Sequence, residues 1–438
     1  MAELEMLSGV ADLPQEEWDA LVGDASPFLE WGWLASLEDA GCVGDQSGWA
    51  AKPLVLREAG RLVAACPLYV KGNSEGEFVF DFGWADAAYR AGIDYYPKLL
   101  VGIPFSPVTG TRILTAAGTD RAALVALFGD ALRQICAQNE FSSVHVNFCL
   151  DDERETLEEG GWMPRLGFQY HWRNEGFADF DDYLASLRSK RRNQVRRERR
   201  ALDEQGVTIN RLLGDEIDDE LFEPMYRIYL ETIRSNPWGR QYLNREMFEL
   251  MKTRFRERLC FIVARQEGEI VAGTVNVQKG DALYGRYWGA FKQLRHLHFN
   301  VCYYAGIEQC IEHGLSRFEP GAGGNYKQLR GFDATATWSC HHVEDPRLSD
   351  AIARFLEAER ADADHTIEWY AENTARKRDA WERRCPRGCA PQGAPSTSLV
   401  PRALQHEVAG SRGVRFGCCR ERRAADLSPR CCRPVSGR

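Results

Sequence analysis

Side chains that could act as a general base or bind an anion cluster in the last third of this chain. The candidates for the base are Glu319, Tyr326 and His341, and the candidates for binding an anionic group are Arg286, His296, His298, Lys327 and Arg330. An amine that attacks a carbonyl carbon must lose a proton, and the resulting oxyanion needs N–H donors. Glycines at 321, 323 and 324 would let the backbone approach a ligand closely. These residue types could support the transfer of a carbonyl-bearing group to a nitrogen.

Each of these residues also has a structural alternative. Glu319 could form an ion pair with Arg317 or Arg330 instead of facing a substrate. His341 and His342 are neighbours in a strand-like run, so they point to opposite faces and at most one of them enters a cleft.

Three strand-like runs and a helix would position these side chains. The runs at 261–265 and 269–278 are joined by a Gln-Glu-Gly turn, which is typical of a hairpin, and a third run covers 282–290. Apolar residues at helical spacing predict a helix over 299–313, which Gly314 ends. A short run, SRFEP, then leads into the glycines.

The hairpin pattern occurs twice in the chain. Residues 55–69, VLREAGRLVAACPLY, align with residues 263–277, VARQEGEIVAGTVNV, at an offset of 208. Further matches at similar offsets are Trp84 with Trp288, Tyr95 and Tyr96 with Tyr303 and Tyr304, and residues 104–110 with 317–323. Such a spacing is far too long for a solenoid repeat and predicts two domain-sized copies.

A run of positive charge stands between the two copies. Residues 188–200 contain eight Arg or Lys and a single acid, Glu198, with apolar residues along one stripe. The pattern predicts a basic amphipathic helix. Either this helix is a solvated face bridged to an acidic surface, or Arg191, Arg192 and Arg196 bind a phosphate-bearing ligand by charge-assisted hydrogen bonds.

Composition limits the class of protein. The chain has 438 residues, enough for two or three domains, and no apolar run approaches the length of a membrane helix. The acidic N-terminus lacks the basic region of a signal peptide, so we expect a cytoplasmic location. The overall charge is −9, which argues against general nucleic-acid binding.

The last 58 residues differ from the rest. From residue 381 onward the chain contains 12 Arg, no Lys and four acids, together with Cys-Cys pairs and repeated Arg-Pro or Pro-Arg steps. Its cysteine spacing fits no four-ligand zinc pattern. We expect a disordered tail over 381–438; the alternative is an out-of-frame translation of GC-rich sequence.

Several segments together resemble the bacterial FemAB-like predicted N-acyltransferases, which are tandem GNAT-type proteins related to peptidoglycan-bridge enzymes. The segments that carry the resemblance are SPFLEWGWLASLEDAGCVG, GWAAKPLVL, CPLYVKGNSEGEFVFDFGWADA, YYPKLLVGIPFSPVTG, QYHWRN, WGRQYL and FEPGAGGNYKQLRGFDATATWSCHHVEDPRL. The resemblance extends over residues 20–378. It implies an α/β fold of two GNAT-like domains, at 1–175 and 176–380, with mixed central sheets flanked by helices and the active site in the second domain.

The resemblance also implies an activity. A protein of this kind moves an acyl or aminoacyl group from acyl-CoA or aminoacyl-tRNA to a small-molecule or cell-wall-precursor amine, without a metal ion. The basic helix would then bind the phosphates of coenzyme A or the backbone of a tRNA.

Two departures from the family pattern bear on that activity. Asn300 and Asn325-Tyr326 stand where relatives tend to carry Glu and Glu-His, and no glycine-rich phosphate loop precedes the helix at 299. The departures motivate an alternative, a non-catalytic binding protein that kept the fold. A third hypothesis is RNA binding through the basic helix.

Overall fold

A computed structural model describes residues 2–235, 239–324 and 326–377. Within these residues the strands are β1 Ala2–Met6, β2 Trp49–Ala51, β3 Leu54–Glu58, β4 Arg61–Cys66, β5 Leu68–Lys71, β6 Lys98–Val101, β7 Leu114–Thr115, β8 Ser143–Cys149, β9 Met163–Arg173, β10 Val207–Leu213, β11 Leu259–Gln266, β12 Glu269–Lys279, β13 Ala282–Ala290, β14 Arg317–Glu319 and β15 Asp333–Val343. The predicted tail over 381–438 and the Asn325 departure lie outside the described residues.

Twelve α-helical segments pack against these strands within the described residues. They are α1 Gln15–Val22, α2 Trp31–Asp39, α3 Phe82–Arg90, α4 Arg121–Gln138, α5 Asp151–Glu159, α6 Phe180–Ser186, α7 Ser189–Asp203, α8 Phe222–Ser235, α9 Arg245–Arg254, α10 Leu297–Phe299, α11 Ala305–Glu312 and α12 Pro346–Glu372. A π-helical turn, Asn300–Tyr304, joins α10 to α11. In this part of the chain no helix is long and apolar enough to cross a membrane.

The strands form two sheets. One has four strands in the order β1-β3-β4-β7, and the other has eleven in the order β10-β11-β12-β13-β14-β9-β15-β8-β6-β5-β2. Both contain antiparallel pairs, and the large sheet adds two parallel pairs, β13 with β14 and β6 with β8. The predicted class, mixed sheets flanked by helices, is confirmed.

The two predicted hairpins have the same local structure. In β3–β4 the register shifts between Leu56 and Arg57, and in β11–β12 it shifts between Ala264 and Arg265, which is the same site at the offset of 208. In each hairpin the arginine after the shift donates to the turn glycine carbonyl, over 3.1 Å. A shared bulge is a feature of the backbone, so it supports a repeat more strongly than side-chain identity does.

The other parts of the repeat alignment are wrong. Trp84 lies in helix α3, whereas Trp288 lies in strand β13. Tyr95 and Tyr96 precede β6, whereas Tyr303 and Tyr304 belong to the π-helical turn. Residues 104–110 follow β6, which is the first strand of the parallel pair β6–β8. Residues 317–323 instead begin with β14, which is the second strand of the parallel pair β13–β14. In structural terms β6 and β8 correspond to β13 and β14.

Strand β9 connects the two halves of the large sheet. It pairs with β14 on one side and with β15 on the other, and β15 also pairs with β8. Its side chains alternate, with Trp172 in the core of the second half and Gln169 and His171 on the other face. The domain boundary at residue 175 stays a prediction. Strand β9 precedes that boundary in sequence, but in the sheet it lies between β14 and β15, which both follow the boundary.

Candidate functional site

The candidate site lies where strands β13 and β14 separate. The two strands pair in parallel only over Ala282–Tyr284 and Arg317–Glu319. Strand β13 continues to Ala290, whereas β14 ends at Glu319, so a fork opens beyond this point. The backbones of Gly285 and Gly321 lie close together at the point where the strands separate. Glycine at 321 permits this approach, because a Cβ there would lie 3.2 Å from the carbonyl oxygen of Gly285.

Glu319 occupies the base of this fork. Its side chain is buried, and Arg317 Nε lies 2.8 Å from Oε1. Oε2 is also buried and has no hydrogen-bond partner in the described part of the chain. Burial raises the pKa of Glu319 to about 7, although Arg317 and Arg286 act in the opposite direction. A carboxyl group with a free oxygen and a pKa near neutrality suits a general base.

His171 on β9 faces the free oxygen of Glu319. The two atoms, His171 Nε2 and Glu319 Oε2, are 3.8 Å apart, and Nε2 likewise has no partner in the part of the chain described. Burial, followed by the charge of Arg317, lowers the pKa of His171 to about 3. Because the imidazole is neutral at pH 7, the contact is not an ion pair. A substrate nitrogen that approached the pair from one side could form a hydrogen bond with each atom.

Arg286 lies at a bulge of β13. The register between β12 and β13 shifts there, so that Tyr287 faces Val275 and Gly285 faces Asn276, which leaves Arg286 as the extra residue. Bulges are over-represented beside active sites because they redirect side chains. The guanidinium is buried and donates to the carbonyl oxygen of Phe105, over 2.6 Å. The first half of the chain therefore forms one wall of the fork.

Lys327 holds the glycine loop that follows Glu319. Its ammonium group donates to the carbonyl oxygens of Gly321, Ala322 and Gly323. Gly321 and Gly323 have left-handed backbones, with φ of 88° and 73°, which glycine adopts without strain. Lys327 therefore stabilises the conformation of the loop. The sequence had suggested that it binds a substrate.

Arg330 is also committed to the protein. Its guanidinium donates to both carboxylate oxygens of Glu198, over 2.8 and 2.9 Å, and to the hydroxyl of Tyr304. It also stacks on Phe299, 3.5 Å from the ring centroid. Tyr326, the other candidate in this segment, is exposed. Arg330 anchors the segment after the glycine loop to helix α7 and is not placed to bind a substrate anion.

His296 and His298 were expected in a loop before a helix at 299–313, but the helical segment begins at Leu297, so His296 caps it and His298 lies within it. His296 has a left-handed backbone, φ 63°, and burial lowers the pKa of its imidazole. His298 packs between Trp288 and Tyr303, with ring centroids 4.5 and 5.2 Å away, and burial lowers its pKa to about 4. Both are neutral at pH 7, so neither provides a positive charge.

The Asn300 departure has a structural role. Its amide donates to the carbonyl oxygens of His296 and Glu198, over 2.9 and 3.2 Å. These bonds fix the helical segment to α7. No carboxylate is needed at this position to complete the contacts that the structure shows.

His341 belongs to a different cluster. On β15, His341 pairs with Met163 of β9, whereas Asp333 pairs with His171. Asp333 and His341 are eight residues apart, which is about 26 Å along a strand. The Nδ1 atoms of His341 and His145 are 2.7 Å apart, and each Nε2 contacts a serine hydroxyl over 2.9 Å. The structure therefore separates His341 from Glu319.

The basic helix α7 is confirmed and has mixed contacts. Arg196 forms a long contact with Asp181, 3.4 Å, and Arg191 donates to Gln194, over 3.2 Å. Arg192 forms no ion pair with any residue of the described ranges. Both interpretations of this helix remain open, because part of its charge is neutralised and part faces solvent.

Sequence reasoning missed His171 as a candidate. The signal was present in the QYHWRN segment, where Gln169, His171 and Arg173 alternate with Tyr170 and Trp172. A strand with one polar and one aromatic face places the polar face at a site or at solvent. In the described residues no group of three His, Cys, Asp or Glu side chains could hold a metal ion.

Comparisons with known proteins gave one family model and several similar solved structures. The family model of FemAB-like proteins, described as peptidoglycan biosynthesis/recognition, matches residues 9–378. No curated protein matches the chain. The solved structure of FemX is 12% identical, with 78% of this chain and 98% of FemX covered and a TM-score of 0.49.

Two further solved structures are similar. L-PGS from Bacillus licheniformis is 10% identical, with 74% of this chain and 95% of that chain covered and a TM-score of 0.44. A tandem GNAT protein from the clavulanic acid biosynthesis pathway is 14% identical, with coverages of 79% and 99% and a TM-score of 0.40.

Proposed function

This chain belongs to the FemAB-like family, and we propose that it transfers an acyl or aminoacyl group from an activated donor to an amine, with Glu319 as the general base. It is a transferase with a tandem GNAT-like α/β fold. The single observation that supports the residue assignment most strongly is at the fork, where the buried Oε2 of Glu319 has no hydrogen-bond partner among the described residues.

The chemistry follows from the protonation states at the fork. An amine arrives as an ammonium ion, and Glu319, which is partly ionised at pH 7, accepts one of its protons. The neutral nitrogen attacks the donor carbonyl, a C–N bond forms, and the bond to the leaving thiol or hydroxyl breaks. The leaving group takes up one proton. His171, which is neutral, orients the amine beside Glu319.

The developing oxyanion needs hydrogen-bond donors that are already in place. Beyond Tyr284 no described strand pairs with the β14-facing edge of β13. An edge without a partner strand presents backbone N–H groups. We assign the acyl carbonyl to this edge, where such groups would stabilise negative charge on oxygen.

The donor is an activated carboxyl group on a phosphate-bearing carrier, with acyl-CoA and aminoacyl-tRNA as the two sources of that chemistry. Arg191, Arg192 and Arg196 of α7 are the residues we assign to its phosphates. The acceptor we propose is the amine of a cell-wall precursor, in line with the family description. A cytoplasmic location stays a prediction.

A transfer assay tests this proposal. Full-chain protein is mixed with radiolabelled acetyl-CoA, a long-chain acyl-CoA or lysyl-tRNA, and with lysine, a lysine-containing tetrapeptide or glucosamine. We expect one donor to give an amide product, and Glu319→Gln to slow its formation by about a hundredfold or more. A product formed equally fast by Glu319→Gln would contradict the assignment of the base.

The donor's site is tested separately. Reversing the charge of α7 with Arg191→Glu, Arg192→Glu and Arg196→Glu should raise the KM for the donor and leave the KM for the acceptor unchanged. Reversing three exposed arginines outside this helix, with Arg61→Glu, Arg90→Glu and Arg347→Glu, is the control for total charge. If the donor KM is the same in all variants, α7 is only a solvated face.

A further inference from the structure

A cavity between the two halves of the chain lies beside the fork. It has a volume of about 300 Å³. Its wall is formed by Cys42, Gln46, Ser47, Trp49, Asn73, Glu75 and Phe105 from the first half and by Arg240, Gln241 and Tyr242 from the second. Ligand sites in proteins begin at about this volume. The cavity could therefore hold a group the size of one or two amino-acid residues.

The floor of the cavity is aromatic. Phe105 stacks on Tyr242, with ring centroids 4.8 Å apart and an interplanar angle of 14°, and Trp49 lies 5.4 Å from Phe105. Glycine at 76 permits this arrangement, because a Cβ there would lie 2.6 Å from the ring of Phe105. Aromatic floors of this kind attract both apolar side chains and ammonium groups.

The rim of the cavity carries one acid and one base. Arg240 Nη2 and Glu75 Oε1 are 2.7 Å apart, and both side chains are partly exposed. A partly exposed ion pair contributes little stability, so a ligand could separate it at a small cost. The two groups come from different halves of the chain, so their juxtaposition requires the assembled fold.

The charges of the cavity exclude two ligand classes. A phosphate ester is bound best by several cations, whereas Arg240 is the one cation among the lining residues and Lys71 is buried behind Trp49, with Nζ 3.9 Å from the ring centroid. Lys71 donates to Asn73 and to the Glu75 carbonyl. A fatty acyl chain is excluded because most of the wall is polar. What remains is a ligand with one positive end, one negative end and amide groups between them.

Phe105 connects the cavity to the fork. Its ring lines the cavity, whereas its carbonyl oxygen accepts the hydrogen bond from Arg286 at the bulge of β13. A molecule held in the cavity therefore lies next to the wall of the site that contains Glu319.

We propose that this cavity binds the peptide end of the acceptor, with its carboxylate on Arg240 and a second, unreactive ammonium on Glu75. The proposal rests on the proposed function in identifying the ligand as the acceptor. Gln46, which lines the cavity, would form a hydrogen bond with an amide group of the peptide.

Calorimetric titration of the full-chain protein with alanyl-alanine tests the proposal. We expect saturable binding, weakened at least tenfold when the peptide is N-acetylated or C-amidated. Arg240→Gln should weaken binding of the dipeptide at least tenfold and remove the preference for the free carboxylate. Glu75→Gln should do the same for the free amine. Arg245→Gln, in a surface pair with Glu223, is the matched control and should bind as the wild type does.

The calorimetric titration does not depend on catalysis. We expect Glu319→Gln to bind the dipeptide as tightly as the wild type does. Absence of saturable binding to the wild type would overturn the proposal, and so would binding by Arg240→Gln and Glu75→Gln as tight as that of the wild type. If Glu319→Gln loses transfer while the wild type fails to bind the dipeptide, only the cavity assignment fails. If the dipeptide binds but Glu319→Gln transfers normally, only the proposed base fails. A thermal melt of each variant excludes loss of fold as the cause.

Discussion

The large sheet contains two forks of the same kind that differ in what fills them. In the first half β6 and β8 pair in parallel over Leu99–Val101 and Val144–Val146 and then separate. Arg112 occupies this opening and donates to the carbonyl oxygens of Val108, Gly110, Thr111 and Asn147. In the second half the opening between β13 and β14 contains Glu319 and a glycine loop.

Each fork also has a buried glutamate, and the two differ in their partners. Glu153, near the first fork, accepts from the backbone N–H groups of Arg112, Ile113 and Leu150 and from the Arg121 guanidinium. Glu319, at the second fork, has one oxygen without a partner among the described residues. A buried polar atom without a partner is costly, and a ligand that completes its hydrogen bond is one explanation for it. The first fork is therefore structural and the second is available for chemistry.

The largest effect is expected on catalysis. Glu319→Gln should lower the transfer rate by about 10² to 10⁴, the range that a general base contributes. Glu153→Gln is the matched control at the other fork and should lower stability without changing the rate per folded molecule. Rates are measured in single turnovers with the donor identified by the transfer assay. Equal losses of rate in both variants would remove the distinction between the forks.

The structural role of Arg112 at the first fork is tested by the free energy of unfolding. Arg112→Met leaves four carbonyl groups without their donor and should lower the free energy of unfolding by about 3–5 kcal/mol. Arg286→Met at the second fork removes a hydrogen bond to one carbonyl and should cost about 1–2 kcal/mol. Urea unfolding at pH 7.5 gives both values. Arg286→Met proving the more destabilising would mean that the second fork is the structural one.

His145 and His341 form a buried pair that, like the first fork, has a structural role. His145 and His341 bond to each other and to serines, and Trp84, Asp81, Lys98 and Arg165 lie around them. Burial lowers the pKa of His145 from 6.5 to about 3 and that of His341 well below its usual value. The unfolded chain therefore binds more protons below pH 6.5, so stability present above that pH is lost as the pH falls towards 3.

The expected loss is up to about 1.4 kcal/mol per pH unit for each histidine. Urea unfolding at pH 7.5 and 5.5 measures it, and the double variant His145→Asn/His341→Asn should show a shallower dependence than the wild type. The same slope in both proteins would show that other groups control acid stability.

The local structure of this chain was predictable because local patterns determine it. The hairpin at 263–277 and its earlier copy follow from β-branched runs and turn residues, and even their bulges occupy matching positions. The basic helix followed from an apolar stripe, and Glu319 was identified as a candidate from its place before the glycines.

The long-range arrangement was not predictable from these patterns. Trp84 was aligned with Trp288 because the two tryptophans stand at a similar offset, but Trp84 and Ala88 are buried one helical turn apart, as a helix requires. Alternation identifies β9 as a strand and does not name its partners, so the approach of His171 to Glu319 could not be foreseen. Arg330 and Lys327 were assigned to ligands because sequence does not show that Glu198 and three carbonyl groups already bind them.

The pH dependence of the single-turnover transfer rate tests the central claim most directly. If Glu319 is the base, the rate of the wild type should rise about tenfold per pH unit below about 7 and become constant above it, because burial raises the pKa of Glu319 to about 7. The residual rate of Glu319→Gln should lack that inflection. An inflection near 7 that persists in Glu319→Gln would show that another group accepts the proton.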